Sequence, residues 1–359
     1  METYLLKCEN SILLSITEEI KSKGGEIVYA SPVLPILGVN ISQELKLELL
    51  DNFKLDYIIE NPENGMLQDV NDMEGAISSV VHNSVTVLPN LNFHRLRNGS
   101  HSYTGWGTTV AVLDSGVSEN WIAEHHDFTG YGSTPSINHG TKVANIIRLA
   151  APGSKILSYK ICHDSKVNMI NVLSAIDAAV VQADIINLSI GFNASVTNCV
   201  ATQPCVLCDI INHYTQNNGK LFVTTAGNLG MTNSIQCPGN SQEAVTVGSL
   251  NRSGEELASY SSLGVPGIKK PNIITSGSIY FNQEYDQGTS FAAPIITGIC
   301  ASLFHGVHKD VSTTKHYLYS SAKDLGLPEH YQGFGMFDLE KMLEVVCDDQ
   351  GDSEIEGQK

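Results

Sequence analysis

Between residues 107 and 343, short apolar runs alternate with segments of helical period. Residues 110–113, 156–161, 185–190, 221–225 and 244–247 are mostly apolar and too short for helices, which predicts strands buried on both faces. The intervening residues 143–149, 167–181 and 205–214 carry apolar positions at helical spacing. Such strands separated by helices predict an α/β fold, a mainly parallel sheet between two helical layers. On such sheets ligands bind in loops beyond the carboxyl ends of the strands.

The first 61 residues follow another pattern. Residues 4–7 read as a strand. Ile12, Ile16 and Ile20 mark one face of a helix over 11–22, ended by Gly24-Gly25. Residues 26–30 and 33–41 read as strands separated by Ser31-Pro32. Ser42 caps a second helix carrying Leu45, Leu49 and Leu50, and 55–60 is a last strand. The order βαββαβ predicts a small α+β, ferredoxin-like domain. Residues 62–100, rich in Asn, Gly, Ser and acids, read as a linker and the start of the main region. The main domain is expected over 101–346, and residues 347–359 as an acidic, disordered tail.

Composition narrows the partners. With 359 residues, 42% of them hydrophobic, the chain can bury one large core and a small one. A net charge of −17, from 38 acidic against 21 basic residues, argues against nucleic acid or an anionic membrane as partner. No run approaches the ~20 apolar residues that span a bilayer. The N-terminus carries acids early, and its apolar run at 12–14 is too short for a signal peptide, so a cytoplasmic location is the expectation, with secretion left open.

Four motifs carry the chemistry. Asp114 ends the strand at 110–113 and is followed by Ser115-Gly116. His139-Gly140-Thr141 opens a helix, with Gly140 allowing close backbone approach. Ala226-Gly227-Asn228 follows the strand at 221–225. Gly288-Thr289-Ser290-Phe291-Ala292-Ala293-Pro294 places a serine at the start of an apolar helix. Pro294 is expected in the first helical turn, where its missing N–H is harmless. A serine there has backbone N–H groups beside it at the positive end of the helix dipole. Each of the first three motifs alone is an ordinary turn or helix start. In this order they supply a carboxylate, a base and a nucleophile.

On these residues the chain resembles the subtilisin-like (subtilase) serine proteases. The resemblance implies a triad of Asp114, His139 and Ser290, with Asn228 as oxyanion donor and no cofactor for catalysis. It implies that Ser189, Ile190 and Gly191 form the strand that pairs with substrate. Leu229 stands where many relatives carry an acid, which favours an apolar residue before the cut. The substrate class is a peptide or protein, in protein turnover or in leader-peptide and precursor processing. Residues 1–61 resemble the family's propeptide, an intramolecular inhibitor and chaperone, with a processing site between Asn61 and Asn92. An unrelated binding module is the alternative. A silent scaffold, or a zymogen latent until a signal arrives, are further alternatives for the whole chain. Gly333-Phe334-Gly335-Met336-Phe337-Asp338 is similar to a closing motif of the family.

Three features depart from the family pattern. Lys142 stands where a histidine often follows His-Gly-Thr. No long insertion follows His139, so the calcium loop of secreted relatives is expected to be absent; Asp127 alone cannot supply the six to eight oxygens calcium takes. Of eight cysteines, Cys199, Cys205, Cys208 and Cys237 flank loops expected to converge near the substrate pocket. Two disulfides, a structural zinc site and four free thiols are all open for them. Cys8, Cys162, Cys300 and Cys347 read as ordinary thiols.

Overall fold

The structure, a computed structural model, describes residues 1–63, 65–67, 84–97, 102–197, 199–200, 205–306 and 309–356. Its centre is a seven-stranded sheet. In spatial order the strands are Ile273–Ser276, Val245–Leu250, Leu221–Thr225, Ile185–Leu188, Thr109–Asp114, Lys155–Lys160 and Glu124–Asp127. Every neighbouring pair runs parallel.

Period two along the strands feeds two cores. Val110 and Val112 point to one side, where they pack with helices His139–Ala150 and Thr289–Phe304. Ala111 and Leu113 point to the other, against helices Met169–Gln182 and Val206–Asn218. The predicted three-layer α/β architecture is therefore present. Glu124–Asp127, a polar edge strand of sequence Glu-His-His-Asp, has no hydrophobic period to announce it.

The N-terminal residues form the βαββαβ unit, with a four-stranded antiparallel sheet in the order Glu26–Ala30, Ile36–Ile41, Glu2–Cys8, Leu55–Glu60. Ser42 caps its second helix by accepting the Leu45 N–H at 3.1 Å. Its helices close a separate small core around Ile16, Ile20, Leu45 and Leu49. The other sheet face sends Leu5, Tyr29 and Ile36 into the core of the main domain. Two partly buried carboxylate contacts frame that interface. Asp177 accepts the Tyr29 hydroxyl on one oxygen at 2.8 Å and that of Tyr214 on the other at 2.7 Å. Lys7 meets Asp209 at 2.5 Å.

Two expectations are corrected. The segment read as a linker contributes structure: Gly65–Leu67 and Val85–Leu88 are strands, and Phe93 and Leu96 of a 3₁₀ turn enter the main core. These pieces are too short for a period to show, and their hydrogen-bond partners come from distant strands. The bulk of the interval that holds the expected processing site lies outside the described residues. Residues 347–356 of the expected disordered tail are instead the end of helix Leu339–Glu356, and 357–359 lie outside the described residues. Leu339, Met342 and Val346 hold that helix on the core, and Asp349 accepts the Tyr317 hydroxyl. Among the described residues no helix is long and apolar enough to cross a membrane.

Candidate active site

Asp114 is the last residue of the central strand Thr109–Asp114, and His139 is the first residue of the helix packed above it. His139 Nδ1 lies 2.8 Å from Asp114 Oδ1, with the carboxylate fully buried and the imidazole 3% exposed. A carboxylate only accepts, so Nδ1 carries the hydrogen and Nε2 is left as the basic nitrogen. The approach is tight. A Cβ on Gly140 would stand 2.4 Å from the Gly116 carbonyl and 3.0 Å from Asp114 Oδ1, so glycine is required there. The Ser115 N–H donates to Asp114 Oδ1 at 2.7 Å, and Ser115 Oγ accepts the Gly140 N–H at 2.9 Å.

Ser290 is the second residue of helix Thr289–Phe304, where backbone N–H groups have no intrahelical acceptor. Its neighbour Phe291 lies under the imidazole of His139, with ring centres 5.6 Å apart. The helix begins at Thr289, so Pro294 sits in its second turn, not in the first as its position in the motif predicted. It therefore removes the N–H that would reach the carbonyl of Ser290. Ser189 Oγ donates to that carbonyl instead, at 3.0 Å. Ser189 is held in turn by Asn187 Nδ2 at 3.0 Å, and Asn187 Oδ1 by the Thr297 hydroxyl at 2.7 Å. Asn187 and Thr297 are buried polar residues that no motif flagged.

Asn228 is oriented by the residue before Ser290. Its Oδ1 accepts both the N–H of Thr289, at 3.0 Å, and the Thr289 hydroxyl, at 2.8 Å. That fixes Nδ2 as the outward-facing donor. Ser290 Oγ, Asn228 Nδ2 and Asp114 Oδ2 belong to the small set of buried side-chain atoms without a hydrogen-bond partner among the described residues. Unsatisfied buried polar atoms are rare, and three gathered at one site mark it as built for an incoming group. Leu229 is 43% exposed, with its N–H donated to Ser262 Oγ at 3.0 Å, so it stands at the rim.

Part of this same chain pairs with the segment expected to bind substrate. Leu67 lies antiparallel opposite Ile190, and Met66 opposite Gly191. On its other side Met66 pairs with Lys166, and Gly65 with Val167. Gly65–Leu67 is thus the middle strand between two edges of the main domain. A Cβ on Gly65 would fall 2.4 Å from the ring of fully buried Phe192. Upstream, Pro62 O accepts the Met169 N–H at 2.9 Å and Asn61 Nδ2 donates to Asn168 Oδ1 at 3.0 Å. These contacts lead the chain from the N-terminal unit into the cleft.

Lys142 departs from the family pattern with a partner of its own, a buried ion pair to Asp286 at 2.6 Å. Asp127 is engaged locally: Oδ1 accepts from Thr129 and Oδ2 from the Gly132 N–H. The four cysteines do converge, and are the group of residues suited to a metal among those described. Burial pushes the Cys208 and Cys237 thiols up, whereas S–H donors from Cys205, Cys208 and Cys237 push Cys199 down.

Comparison with known proteins bears on this geometry. Residues 105–336 match the model of the subtilase family. The human membrane-bound transcription factor site-1 protease is 27% identical over 284 residues, covering 68% of this chain and 26% of its own length. Subtilisin from Bacillus sp. (strain TA39) is 27% identical over 276 residues, covering 64% of this chain and 65% of its own. The chain thus spans about a quarter of the first relative and just under two thirds of the second. Among solved structures, the epidermin leader peptide processing serine protease of Staphylococcus aureus aligns with TM-score 0.69 at 19% identity, over 96% of this chain and 98% of its own. A lanthipeptide protease aligns with TM-score 0.56 at 18% identity, over 71% of this chain and 94% of its own.

Proposed function

Since this chain belongs to the subtilase family, we propose that it is a serine endopeptidase in which Asp114, His139 and Ser290 form the triad and Asn228 the oxyanion donor. The observation that carries the reading is the buried 2.8 Å contact of His139 Nδ1 with Asp114 Oδ1, set above the helix that begins Thr289-Ser290. Ser290 Oγ attacks the scissile carbonyl and His139 Nε2 takes its proton. Asp114 holds the Nδ1–H tautomer and stabilises the imidazolium. Charge gathers on the carbonyl oxygen, where Asn228 Nδ2 and the Ser290 N–H receive it; losing one such donor costs about 10²–10³ in kcat. The proton then passes from His139 to the leaving amine, and water repeats the sequence on the acyl-enzyme. No cofactor enters any step.

The chain reads further as a self-inhibited precursor. Gly65–Leu67 occupies the strand position of a substrate. Ser290 is fully buried and His139 nearly so, which suits a latent state. The fold neighbours named for leader-peptide and lanthipeptide processing support precursor processing as the role. Phe192 supports it as well, because a wall that excludes every side chain at one position suits one sequence better than general turnover.

The test is labelling by a fluorophosphonate probe after the N-terminal segment has been removed by limited proteolysis. Label confined to Ser290, and lost in Ser290→Ala and strongly reduced in His139→Ala, is expected. Equal labelling of the Ser290→Ala variant would overturn the assignment.

A further inference from the structure

Cys199, Cys205, Cys208 and Cys237 belong to the core that also holds Ile190 and Phe192. All four are buried, and their sulfurs all lie within 4.8 Å of one another. Their sulfurs stand 2.9 Å apart for Cys205–Cys237, 3.6 Å for Cys199–Cys208 and 4.0 Å for Cys205–Cys208. Four thiolates around one zinc ion, each at about 2.3 Å, stand about 3.8 Å apart. Two of the three contacts are close to that spacing, and the Cys205–Cys237 pair would open by about 1 Å around an ion. Two disulfides would need only two close pairs and no shared centre.

The surroundings suit thiolates. Cys205 caps helix Val206–Asn218 and Cys208 sits in its first turn, so both sulfurs lie at the positive end of the helix dipole. Asn240 Nδ2 points at Cys199 Sγ from 3.8 Å while also donating to the Ile235 carbonyl at 3.1 Å. An amide donor fixed beside a sulfur is what a metal-bound thiolate uses for support.

We propose that Cys199, Cys205, Cys208 and Cys237 bind one zinc ion as a closed four-thiolate site, and that this ion locks the two walls of the substrate cleft. Binding releases the thiol protons to solvent and changes no oxidation state. The locking follows from the backbone around Cys237. Phe192 and Cys237 exchange N–H···O bonds in both directions, at 2.8 and 2.9 Å. Phe192 directly follows Gly191, which pairs with Met66 in the cleft. Gln236, next to Cys237, accepts the Asn228 N–H on Oε1 at 3.2 Å and donates to Asn193 Oδ1 at 2.7 Å. One ion at Cys237 Sγ therefore fixes both the strand that receives substrate and the loop that carries Asn228. This second part rests on the peptidase reading; metal binding does not.

The full chain carrying Ser290→Ala, which keeps it intact, is purified without added metal and analysed for metal content and by native and denaturing mass spectrometry. One zinc per chain is expected, and none in a Cys208→Ser, Cys237→Ser double variant. Replacement by cobalt(II) should give the intense absorption of thiolate-to-cobalt charge transfer. A metal-free chain with all eight thiols open to alkylation overturns the proposal, as does a non-reduced chain four hydrogens lighter, which means two disulfides. If the double variant does not fold, the metal content and cobalt spectrum of the parent decide alone. For the wall, chelation of the processed enzyme should raise KM for peptide more than it lowers kcat. Unchanged kinetics after zinc loss refute the locking role, whereas absent hydrolysis with zinc in place refutes the peptidase reading instead.

Discussion

Ser189 Oγ donates to the backbone carbonyl of Ser290, the carbonyl that Pro294 deprives of its helical partner. An ordinary residue at 294 would donate its N–H four residues back. Proline cannot, and the segment at Ser189 is tied to the serine helix in its place. Ser189→Ala should leave a buried acceptor orphaned and lower unfolding free energy by ~1–3 kcal/mol. In a Pro294→Ala background the helix can satisfy that carbonyl, so the same change should cost clearly less. Urea denaturation of the four forms, all in Ser290→Ala to prevent self-digestion, reads the coupling. Equal costs in both backgrounds would mean that Ser189 does not serve this carbonyl.

Phe192 should set a glycine requirement in substrates. Its ring is fully buried in the core, so it cannot swing away from a side chain at the Gly65 position. Overpacking of this kind costs typically ~1–3 kcal/mol. Peptides copying residues 62–72 with valine for Gly65 should lose on the order of 10- to 100-fold in kcat/KM. A Phe192→Ala enzyme should recover part of that loss. Equal hydrolysis of both peptides by the unaltered enzyme would show that the wall gives way.

The proposed catalytic positions were legible because they lie where period breaks, at a strand end for Asp114 and at helix starts for His139 and Ser290. Such positions carry chemistry in local sequence. What stayed hidden depends on partners far along the chain. The local rule for proline put Pro294 in the first turn, but the group that answers its missing N–H is a serine 101 residues away. Gly65–Leu67 has no strand signal of its own and becomes a strand by lying between two edges that the main domain supplies. Lys142 departed visibly from the family pattern, yet nothing local named Asp286, 144 residues on, as its partner. The acidic end of the chain read as disordered because its helix is held by contacts to Tyr317 and the core, not by its own propensity.

Lys270 should make stability depend on pH. It is buried, with its ammonium donating to Ala244 O, Thr246 Oγ1 and Asn272 Oδ1 at 2.8 to 2.9 Å. Burial pushes its pKa down to about 7. An unfolded lysine titrates near 10.4. Between these values the unfolded chain binds more protons than the folded one, so stability rises with pH across that window and is flat in this term below it. The stability difference between the parent chain and Lys270→Met, measured in urea at intervals from pH 6 to pH 10, should grow in favour of the parent above pH 7. A constant difference would mean that the three acceptors hold the ammonium at its ordinary pKa.

On the proposed function, Ser290 cuts this chain where its own segment pairs beside Ile190 and Gly191. Leu67 is opposite Ile190; Gln68 follows Leu67 in sequence as Ser189 precedes Ile190, and Ser189 Oγ donates to the Ser290 carbonyl. The bond expected to break is therefore that between Gln68 and Asp69. Intact-mass spectrometry of the purified full chain, followed over time beside Ser290→Ala, tests this directly. Two fragments meeting at that bond are expected in the parent and a single uncut chain in the variant. Cleavage of the variant at the same bond, or a parent chain that stays whole while it hydrolyses added peptides, would contradict it.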